Sequence, residues 1–332
     1  NIYSITFGTG PKKILMWSQM HGNESTTTKA VFDVLNSVMD ENEFYKQLLK
    51  TCTIKIIPIL NPDGAKAYTR VNANTIDLNR DAKIVSQPES VLLKDCFNSF
   101  KPHFCFNLHG QRTIFSAGNT NKSATVSFLS PAEDETCSIT ETRKEAMSLI
   151  VKMNRILQLQ IPNQVGIYDD AFNINCVGDM FQTLKVPTVL FEAGHYADDY
   201  DREEVREFIY QSLMVALNTV ADGTIDEDDY KAYLKIPENE KRFYDIIIRN
   251  AVVEGQVVDV AIQYEERLVG KKLYFVPKVE KIEPLNTYFA HRAIEANSTV
   301  VLDAENEVLK VGSEIDFVNV NNVKLSLKIL KS

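Results

Sequence analysis

Apolar segments of strand length alternate with helix-like segments from about residue 12 to residue 220. KKILMWSQM, at 12–20, is an apolar run bounded by Gly-Pro and His-Gly pairs, which is typical of a buried strand. In the segment 25–40, by contrast, the apolar residues recur at helical spacing. The same criteria predict further strands at 51–60, 103–110 and 186–194, and helices at 88–100, 139–160 and 201–220. Such alternation predicts an α/β fold with a mostly parallel, mixed sheet that has helices on both faces.

The pattern changes after residue 220. The segment 221–238 is polar and acidic, which favours a linker. From 239 to 332, short runs of alternating character such as QVVDVAIQY and SEIDFVNV are separated by turn residues, which is typical of a small all-β domain. We therefore predict an α/β domain over 1–220, a linker over 221–238 and a small β-sandwich-like domain over 239–332.

Composition and charge restrict the partners of the chain. Its 332 residues, 44% of them hydrophobic, are enough to bury a sizeable core. The sequence contains no run of about 18 apolar residues, the length that a membrane-spanning helix requires. The net charge of −9 argues against a nucleic-acid partner, because binding to phosphates requires a basic face.

Cysteine usage and the first residue bear on the compartment. The five cysteines are odd in number, widely spaced and without a CxxC pair, which favours a reducing, cytoplasmic location. Because the sequence begins at Asn1 rather than at a methionine, a removed signal peptide stays open as an explanation. A secreted or periplasmic location is therefore the alternative.

Polar groups follow each of the four predicted strands of the α/β domain. His21 and Glu24 follow the first strand, the sequence NPDG at 61–64 follows the second, His109 ends the third and Glu192 ends the fourth. Because ligands bind at the carboxyl ends of parallel strands, we expect these groups to lie close together. Two imidazoles and a carboxylate are a ligand set of catalytic zinc, and the second carboxylate is suited to take a proton from zinc-bound water.

Each of these groups also has a purely structural explanation. His21 and Glu24 are compatible with a polar helix start, where the helix dipole favours the carboxylate. His109 is compatible with a core or loop histidine, and NPDG with an ordinary turn. Glu192 is harder to explain in this way, since a carboxylate at the end of a buried strand is costly without a partner. The coincidence of all of them at strand ends favours the metal site.

The segment YTRVNANTIDLNRD, at 68–81, supplies positive charge between two of the predicted metal-site segments. It carries Arg70, Asn79 and Arg80 in a loop that is rich in Asn and Asp. A solvated surface loop is the ordinary explanation of such a sequence. Arginine is also the side chain best shaped to fork onto a carboxylate, which makes a carboxylate-bearing ligand the alternative.

Taken in order, HGNE, NPDG, the arginine ahead of DLNRD, NLHG and FEAG resemble the motifs of the zinc carboxypeptidase family, the metallopeptidases similar to pancreatic and regulatory carboxypeptidases. The resemblance covers about residues 10–220. It implies that the domain 1–220 is a catalytic domain with one zinc ion per chain, bound by His21, Glu24 and His109.

The resemblance also implies roles for the remaining polar residues of the region. Glu192 would be the general base and acid, and Arg70 would polarise the scissile carbonyl and stabilise the oxyanion. Asn79 and Arg80 would hold the terminal carboxylate of the substrate.

Two further implications concern the substrate pocket. Tyr168 matches the mobile, substrate-binding tyrosine that family members carry upstream of the catalytic glutamate, and Tyr196 is the nearby alternative. Residues near Gly178 and Asp179 would border the pocket that receives the last side chain of the substrate.

The function implied by the resemblance is that of a zinc metallocarboxypeptidase, a protease that hydrolyses the last bond of peptides with a free C-terminus. Two alternatives stay open. Deacylases similar to aspartoacylase and succinylglutamate desuccinylase also show HGNE and a DLNR loop, and they act on small N-acyl amino acids. The other alternative is a non-catalytic peptide-binding protein, against which the presence of Glu192 argues.

Overall fold

The computed structural model describes residues 1–39 and 42–329, which form two compact units. The first unit consists of Asn1–Arg112 and Ala124–Asn239, and the second of Thr113–Ser123 and the chain from Glu240 onward. The last residue of the predicted helix 25–40 and the last three residues of the predicted domain 239–332 lie outside the described residues.

The strands, in chain order, are β1 (Ile5–Phe7), β2 (Lys12–Ser18), β3 (Cys52–Ile57), β4 (Phe104–Gly110), β5 (Phe115–Ala117), β6 (Val126–Leu129), β7 (Val165–Ile167), β8 (Thr188–Ala193), β9 (Asn239–Lys241), β10 (Phe243–Val253), β11 (Gln256–Val269), β12 (Lys272–Glu283), β13 (Phe289–Glu295), β14 (Val301–Asp303), β15 (Phe317–Val320) and β16 (Val323–Ser326). The helices are α1 (Thr26–Val38), α2 (Glu43–Thr51), α3 (Pro62–Ala67), α4 (Pro88–Phe100), α5 (Glu141–Leu157), α6 (Val177–Thr183), α7 (Glu203–Asp222) and α8 (Tyr230–Tyr233), with 3-10 turns at Leu78–Arg80 and Glu227–Asp229. Every strand and helix predicted between residues 12 and 220 has a counterpart here. The sequence did not predict α2, α3 and α6, whose nine, six and seven residues are fewer than the roughly ten to twelve by which an apolar pattern identifies a helix.

The first unit is built on a seven-stranded mixed sheet in the order β1-β3-β2-β4-β8-β6-β7. The strands β3, β2, β4 and β8 run parallel, whereas β1 and β6 pair antiparallel with β3 and β8. Successive residues of β2 face opposite sides: Ile14 and Met16 pack with α1, α5 and α7, and Leu15 and Trp17 pack with α4 and α6. The predicted mixed sheet with helices on both faces is thereby confirmed.

The segment 221–238, which the sequence predicts as a linker, is folded. It contains the end of α7, a 3-10 turn and α8, and Tyr233 and Ile236 are buried in the core of the first unit. Among the described residues, no helix combines the length and the apolarity that crossing a bilayer would require.

The second unit consists mainly of two layers of β-sheet around one apolar core. A four-stranded sheet in the order β12-β11-β10-β13 contributes Ile246 and Ile262, and a three-stranded sheet in the order β14-β15-β16 contributes Val318. The loop 113–123 joins this unit because the backbone N–H groups that open β10 donate to Ile114 O.

Two tight turns, which follow β2 and β3, pack backbone against backbone. A Cβ atom on Gly22 would lie 1.9 Å from Gly64 C, and a Cβ atom on Gly64 would lie 2.7 Å from Val71 O. Asn61 fixes the second turn, since its Oδ1 accepts from Gly64 N at 2.8 Å and its Nδ2 donates to Met20 O at 3.2 Å. HGNE and NPDG therefore fold as one structure, in which close approach requires glycine at both positions.

We expect Gly22→Ala to lower the free energy of unfolding by about 1–3 kcal/mol, the range typical of overpacking, because the new methyl group would overlap with backbone rather than with a flexible side chain. Urea unfolding measures this change. Gly270→Asn is the control, since Gly270 has a φ of 64°, no described atom lies within 4 Å of its Cβ position, and asparagine tolerates this conformation. A Gly22→Ala variant as stable as the unsubstituted protein would show that the two turns are not locked together.

Candidate metal centre

The strand register aligns polar residues in one row across the sheet of the first unit. His109 of β4 pairs with Glu192 of β8, Glu192 pairs with Ser127 of β6, and Ser127 pairs with Gly166 of β7. Residues that are paired across neighbouring strands place their side chains on the same face. His109 and Glu192 therefore lie side by side at the carboxyl ends of β4 and β8.

His21, Glu24 and His109 bring three donor groups to one point. His21 Nδ1 lies 2.8 Å from Glu24 Oε1, His109 Nδ1 lies 2.9 Å from Glu24 Oε2, and the two Nδ1 atoms lie 3.0 Å apart. Zinc bonds of about 2.0–2.1 Å in a tetrahedral site place neighbouring ligand atoms roughly 3.3 Å apart. The three predicted ligands therefore fit a zinc ion after the atoms spread by a few tenths of an ångström.

Asp77 fixes the orientation of His21. Its Oδ1 lies 3.0 Å from His21 Nε2 and also accepts from the backbone N–H of Asn79 at 2.9 Å. Burial acts to raise the pKa of Asp77, but its hydrogen bond to His21 and the nearby charges of His21 and Arg70 lower it below its ordinary value. A charged acceptor at Nε2 keeps the proton on that nitrogen, so that Nδ1 presents its lone pair to a metal.

Electrostatics around the cluster favour a cation at the point where the ligand atoms meet. Burial lowers the pKa of His109, which keeps the imidazole neutral. Burial and then the negative charge of Glu24 raise the pKa of Glu192 well above its ordinary value, against the opposing charges of Arg70 and Arg202. Glu192 Oε2 is buried and has no hydrogen-bond partner within the described part of the chain. A divalent cation beside the two carboxylates would offset their repulsion.

Arg70 lies at the rim of this cluster. Its Nε donates to Asp77 Oδ2 at 3.1 Å, and its Nη1 lies 3.5 Å from Glu24 Oε1. The side chain is 49% exposed, so that it borders both the ligand carboxylate and the solvent. The structure thus brings Arg70 together with the three predicted ligands.

Asn79 and Arg80 lie beside the first turn of α6 rather than among the ligand atoms. Asn79 Oδ1 accepts from the backbone N–H of Val177 at 3.2 Å, and the exposed Arg80 donates from Nη1 to Asn79 O at 3.1 Å. Burial raises the pKa of Asp179, in the same turn, to about 6, and the charge of Arg80 opposes this rise. The two residues predicted to bind a carboxylate therefore share one region with the acidic group predicted to border the pocket.

Tyr168 lies immediately after β7. Its hydroxyl donates to Gln111 Oε1 at 2.7 Å. Burial and then the negative charges of Glu192 and Glu24 raise the pKa of this hydroxyl above its ordinary value, which places the phenol in the electric field of the cluster. Tyr196, the alternative, packs instead against the hydrophobic core of the unit.

Arg202 ties together the ends of the two strands that carry His109 and Glu192. Its Nη1 donates to Gln111 O at 2.9 Å, to Ala193 O at 3.0 Å and to Gly194 O at 2.8 Å. One guanidinium nitrogen thus contacts the carbonyl of the last residue of β8 and the carbonyls of the residues that follow β4 and β8.

Sequence reasoning missed four residues that position the site, namely Asp77, Gln111, Arg202 and Asn239. Asp77 lies within DLNRD and Gln111 lies two residues after His109, so that the motifs themselves marked both places. Arg202 lies in the predicted start of a helix and Asn239 is the first residue of the predicted β domain, and only the tertiary structure brings them to the site.

Comparison with known proteins agrees with this geometry. A family model described as zinc carboxypeptidase matches residues 2–168. The chain is 29% identical over 110 residues to "Probable carboxypeptidase 2" of Arthroderma benhamiae and 28% identical over 100 residues to "Carboxypeptidase 2" of Trichophyton rubrum. These matches cover 32% and 30% of this chain, and the chain spans only 20% and 19% of the length of the two relatives.

A solved structure, that of a metallo-carboxypeptidase from Burkholderia cenocepacia, shares the fold with a TM-score of 0.52 and 17% identity. The match covers 67% of this chain and 61% of that one. At this level of identity the similarity shows the fold alone.

We expect Asp77→Ala to weaken zinc binding by about 10–100-fold, the usual cost of removing a group that orients a metal-ligating histidine. Competition with a chromogenic chelator measures the affinity. Asp77→Asn is expected to lose less, because its amide oxygen can still accept from His21 Nε2. The exposed Asp63→Asn variant is the control for a change of charge in the same region. Unchanged zinc affinity in Asp77→Ala would refute the orienting role.

Proposed function

The chain belongs to the zinc carboxypeptidase family, and on that premise we propose that it is a zinc-dependent metallocarboxypeptidase that hydrolyses the C-terminal peptide bond of peptides. One observation supports this function above the others. The Nδ1 atoms of His21 and His109 lie 3.0 Å apart and each lies within 2.9 Å of a Glu24 carboxylate oxygen, and Glu192 lies in register beside His109.

We assign one zinc ion per chain to His21, Glu24 and His109. When bound, zinc lowers the pKa of a coordinated water and polarises the substrate carbonyl. Three protein ligands leave a fourth position for water or substrate, which is the arrangement of a catalytic rather than a structural site. Asp77 and Arg70 keep this ligand set in place, the former through His21 and the latter through its contacts with Asp77 and Glu24.

Glu192 acts as the general base and acid of the proposed reaction. It takes a proton from the attacking water and hands it to the leaving amine. Its buried Oε2 has no competing hydrogen-bond partner among the described residues, which favours this role. Arg70, half exposed at the rim, carries five N–H donors in its guanidinium and directs the remaining ones to the developing oxyanion.

Asn79 and Arg80 bind the terminal carboxylate of the peptide. The exposed guanidinium of Arg80 offers a planar fork that matches a carboxylate, and Asn79 ties its loop to the start of α6. Tyr168 borders the substrate site on the side of Gln111, to which its hydroxyl donates. The products are a free amino acid and a peptide shortened by one residue.

A substitution of Glu192 separates zinc binding from the rate of hydrolysis. Glu192→Gln is expected to retain zinc while hydrolysis falls by about 10²–10⁴, the usual contribution of a positioned acid–base group. Elemental analysis and the rate of hydrolysis of a blocked dipeptide measure the two quantities. The exposed Glu135→Gln variant is the control. Loss of zinc in Glu192→Gln would make Glu192 a ligand and overturn the proposed mechanism.

The second prediction tests the exopeptidase assignment. If Arg80 forks onto a terminal carboxylate, a blocked dipeptide should be cleaved faster than its C-terminal amide. The difference should be roughly one to two decades in kcat/KM, because a charged hydrogen bond contributes roughly 1.5–3 kcal/mol. Arg80→Ala should narrow this gap by slowing only the free acid, whereas Arg70→Ala should slow both substrates.

Two outcomes would contradict this assignment. Equal rates on acid and amide in the unsubstituted protein would exclude a carboxypeptidase. Faster hydrolysis of N-acyl amino acids than of blocked dipeptides would instead identify a deacylase.

A further inference from the structure

We propose that Gln111, together with Asn239, is a positioning residue that fixes Tyr168 beside the metal centre, so that this tyrosine works from one position and does not swing. The inference rests on the proposed function, in which Tyr168 borders the substrate site. It departs from the mobile tyrosine that the family resemblance implies.

The amide of Gln111 is oriented by its surroundings. Its Nε2 donates to Ala124 O at 2.6 Å and to Ser127 Oγ at 3.2 Å. The opposite orientation would place Gln111 Oε1 against the carbonyl oxygen of Ala124, where two acceptors repel each other. Gln111 Oε1 must therefore accept, and it accepts from the hydroxyl of Tyr168 at 2.7 Å.

Asn239 completes the surroundings of the phenol. Its Nδ2 donates to Gln111 Oε1 at 3.1 Å and to Ser127 Oγ at 3.0 Å, and its side chain also hydrogen-bonds the hydroxyl of Tyr168. Gln111, Ser127 and Asn239 thus form a polar cradle around the end of Tyr168. Because the same amide contacts both Tyr168 and its acceptor, displacement of the phenol would disturb more than one hydrogen bond.

A glycine in β7 leaves space for the side chain of Asn239. Gly166 of β7 stands opposite Ser127, and a Cβ atom at that position would lie 2.0 Å from Asn239 Oδ1. The backbone then holds the segment in place, since Ile167 N donates to Pro237 O at 2.9 Å and Ile167 forms a bridge with Glu238. Because Gly166 has no side chain, the side chain of Asn239, from a distant part of the sequence, fits into the row that contains Glu192.

The backbone of Tyr168 is anchored as well, because its N–H donates to Phe128 O at 3.0 Å. With the backbone and the hydroxyl both held, a change of the χ1 angle that moved the phenol elsewhere would break the hydrogen bonds of the hydroxyl. The proton of the hydroxyl is committed to Gln111, so that Tyr168 is not arranged to donate this proton to a substrate.

A double-mutant cycle tests whether Gln111 acts through the hydroxyl of Tyr168. Gln111→Met keeps the length of the side chain and removes its hydrogen bonds. We expect this substitution to lower kcat/KM for a blocked dipeptide roughly three- to tenfold, the value of one hydrogen bond. In a Tyr168→Phe background the same substitution should have almost no effect. The exposed Gln47→Met variant is the matched control. An equal loss in both backgrounds would overturn the proposal.

A spectroscopic test needs no activity. Labelling the Cζ atom of tyrosine with ¹³C gives one resonance for each of the 13 tyrosines, and Tyr168→Phe identifies the resonance of interest. We expect that resonance to move in Gln111→Met and in Asn239→Ala, and to keep its position when the blocked dipeptide binds to Glu192→Gln. A resonance that neither cradle substitution moves, or that the dipeptide moves as far as they do, would refute the fixed tyrosine. If the unsubstituted protein hydrolyses no peptide, the proposed function fails, and the response to the two cradle substitutions still decides whether the cradle exists.

Discussion

The pairing of β4 with β8 is the constraint on which the site depends. The register that sets His109 opposite Glu192 places a proposed metal ligand and the proposed base on one face, at the carboxyl ends of adjacent parallel strands. A shift of one residue would turn Glu192 to the opposite face, where α1, α5 and α7 pack. Arg202 reinforces this register, because one guanidinium nitrogen bridges backbone carbonyls at the ends of both strands. Strand geometry, rather than loop conformation, thus fixes the two groups that must act together.

The site places several carboxylates close together, and their repulsion must be offset. Glu24 and Glu192 lie close enough for the charge of one to raise the pKa of the other, and burial adds to this effect. The negative charge of Asp77 is offset by its contacts with His21 and Arg70. A dication at the centre of the two carboxylates and two imidazoles would offset this repulsion. The charges of the cluster and the positions of its donor atoms both favour a metal ion.

The sequence revealed those parts of the structure that local patterns encode. Apolar runs predicted the central strands, and polar residues at their ends predicted His21, Glu24, His109 and Glu192. Tertiary contacts decided the rest. The loop 113–123 lies inside the α/β region of the sequence but packs with the second unit, since Ile114 O accepts from the start of β10. The acidic segment 221–238 resembles a linker because its few apolar residues, which fill the core, show no period.

The polar row across the sheet also links the site to the folding of the whole first unit. It begins near β2, passes through His109, Glu192 and Ser127, and ends at Gly166, where Asn239 enters. The residues that hold the site therefore come from the first and the last segments of the unit. Contacts between residues so far apart in sequence form only once the sheet has assembled, because closing the long intervening loops costs conformational entropy. A metal that binds the folded cluster and not the unfolded chain then stabilises the entire unit, in proportion to the logarithm of its concentration over its dissociation constant.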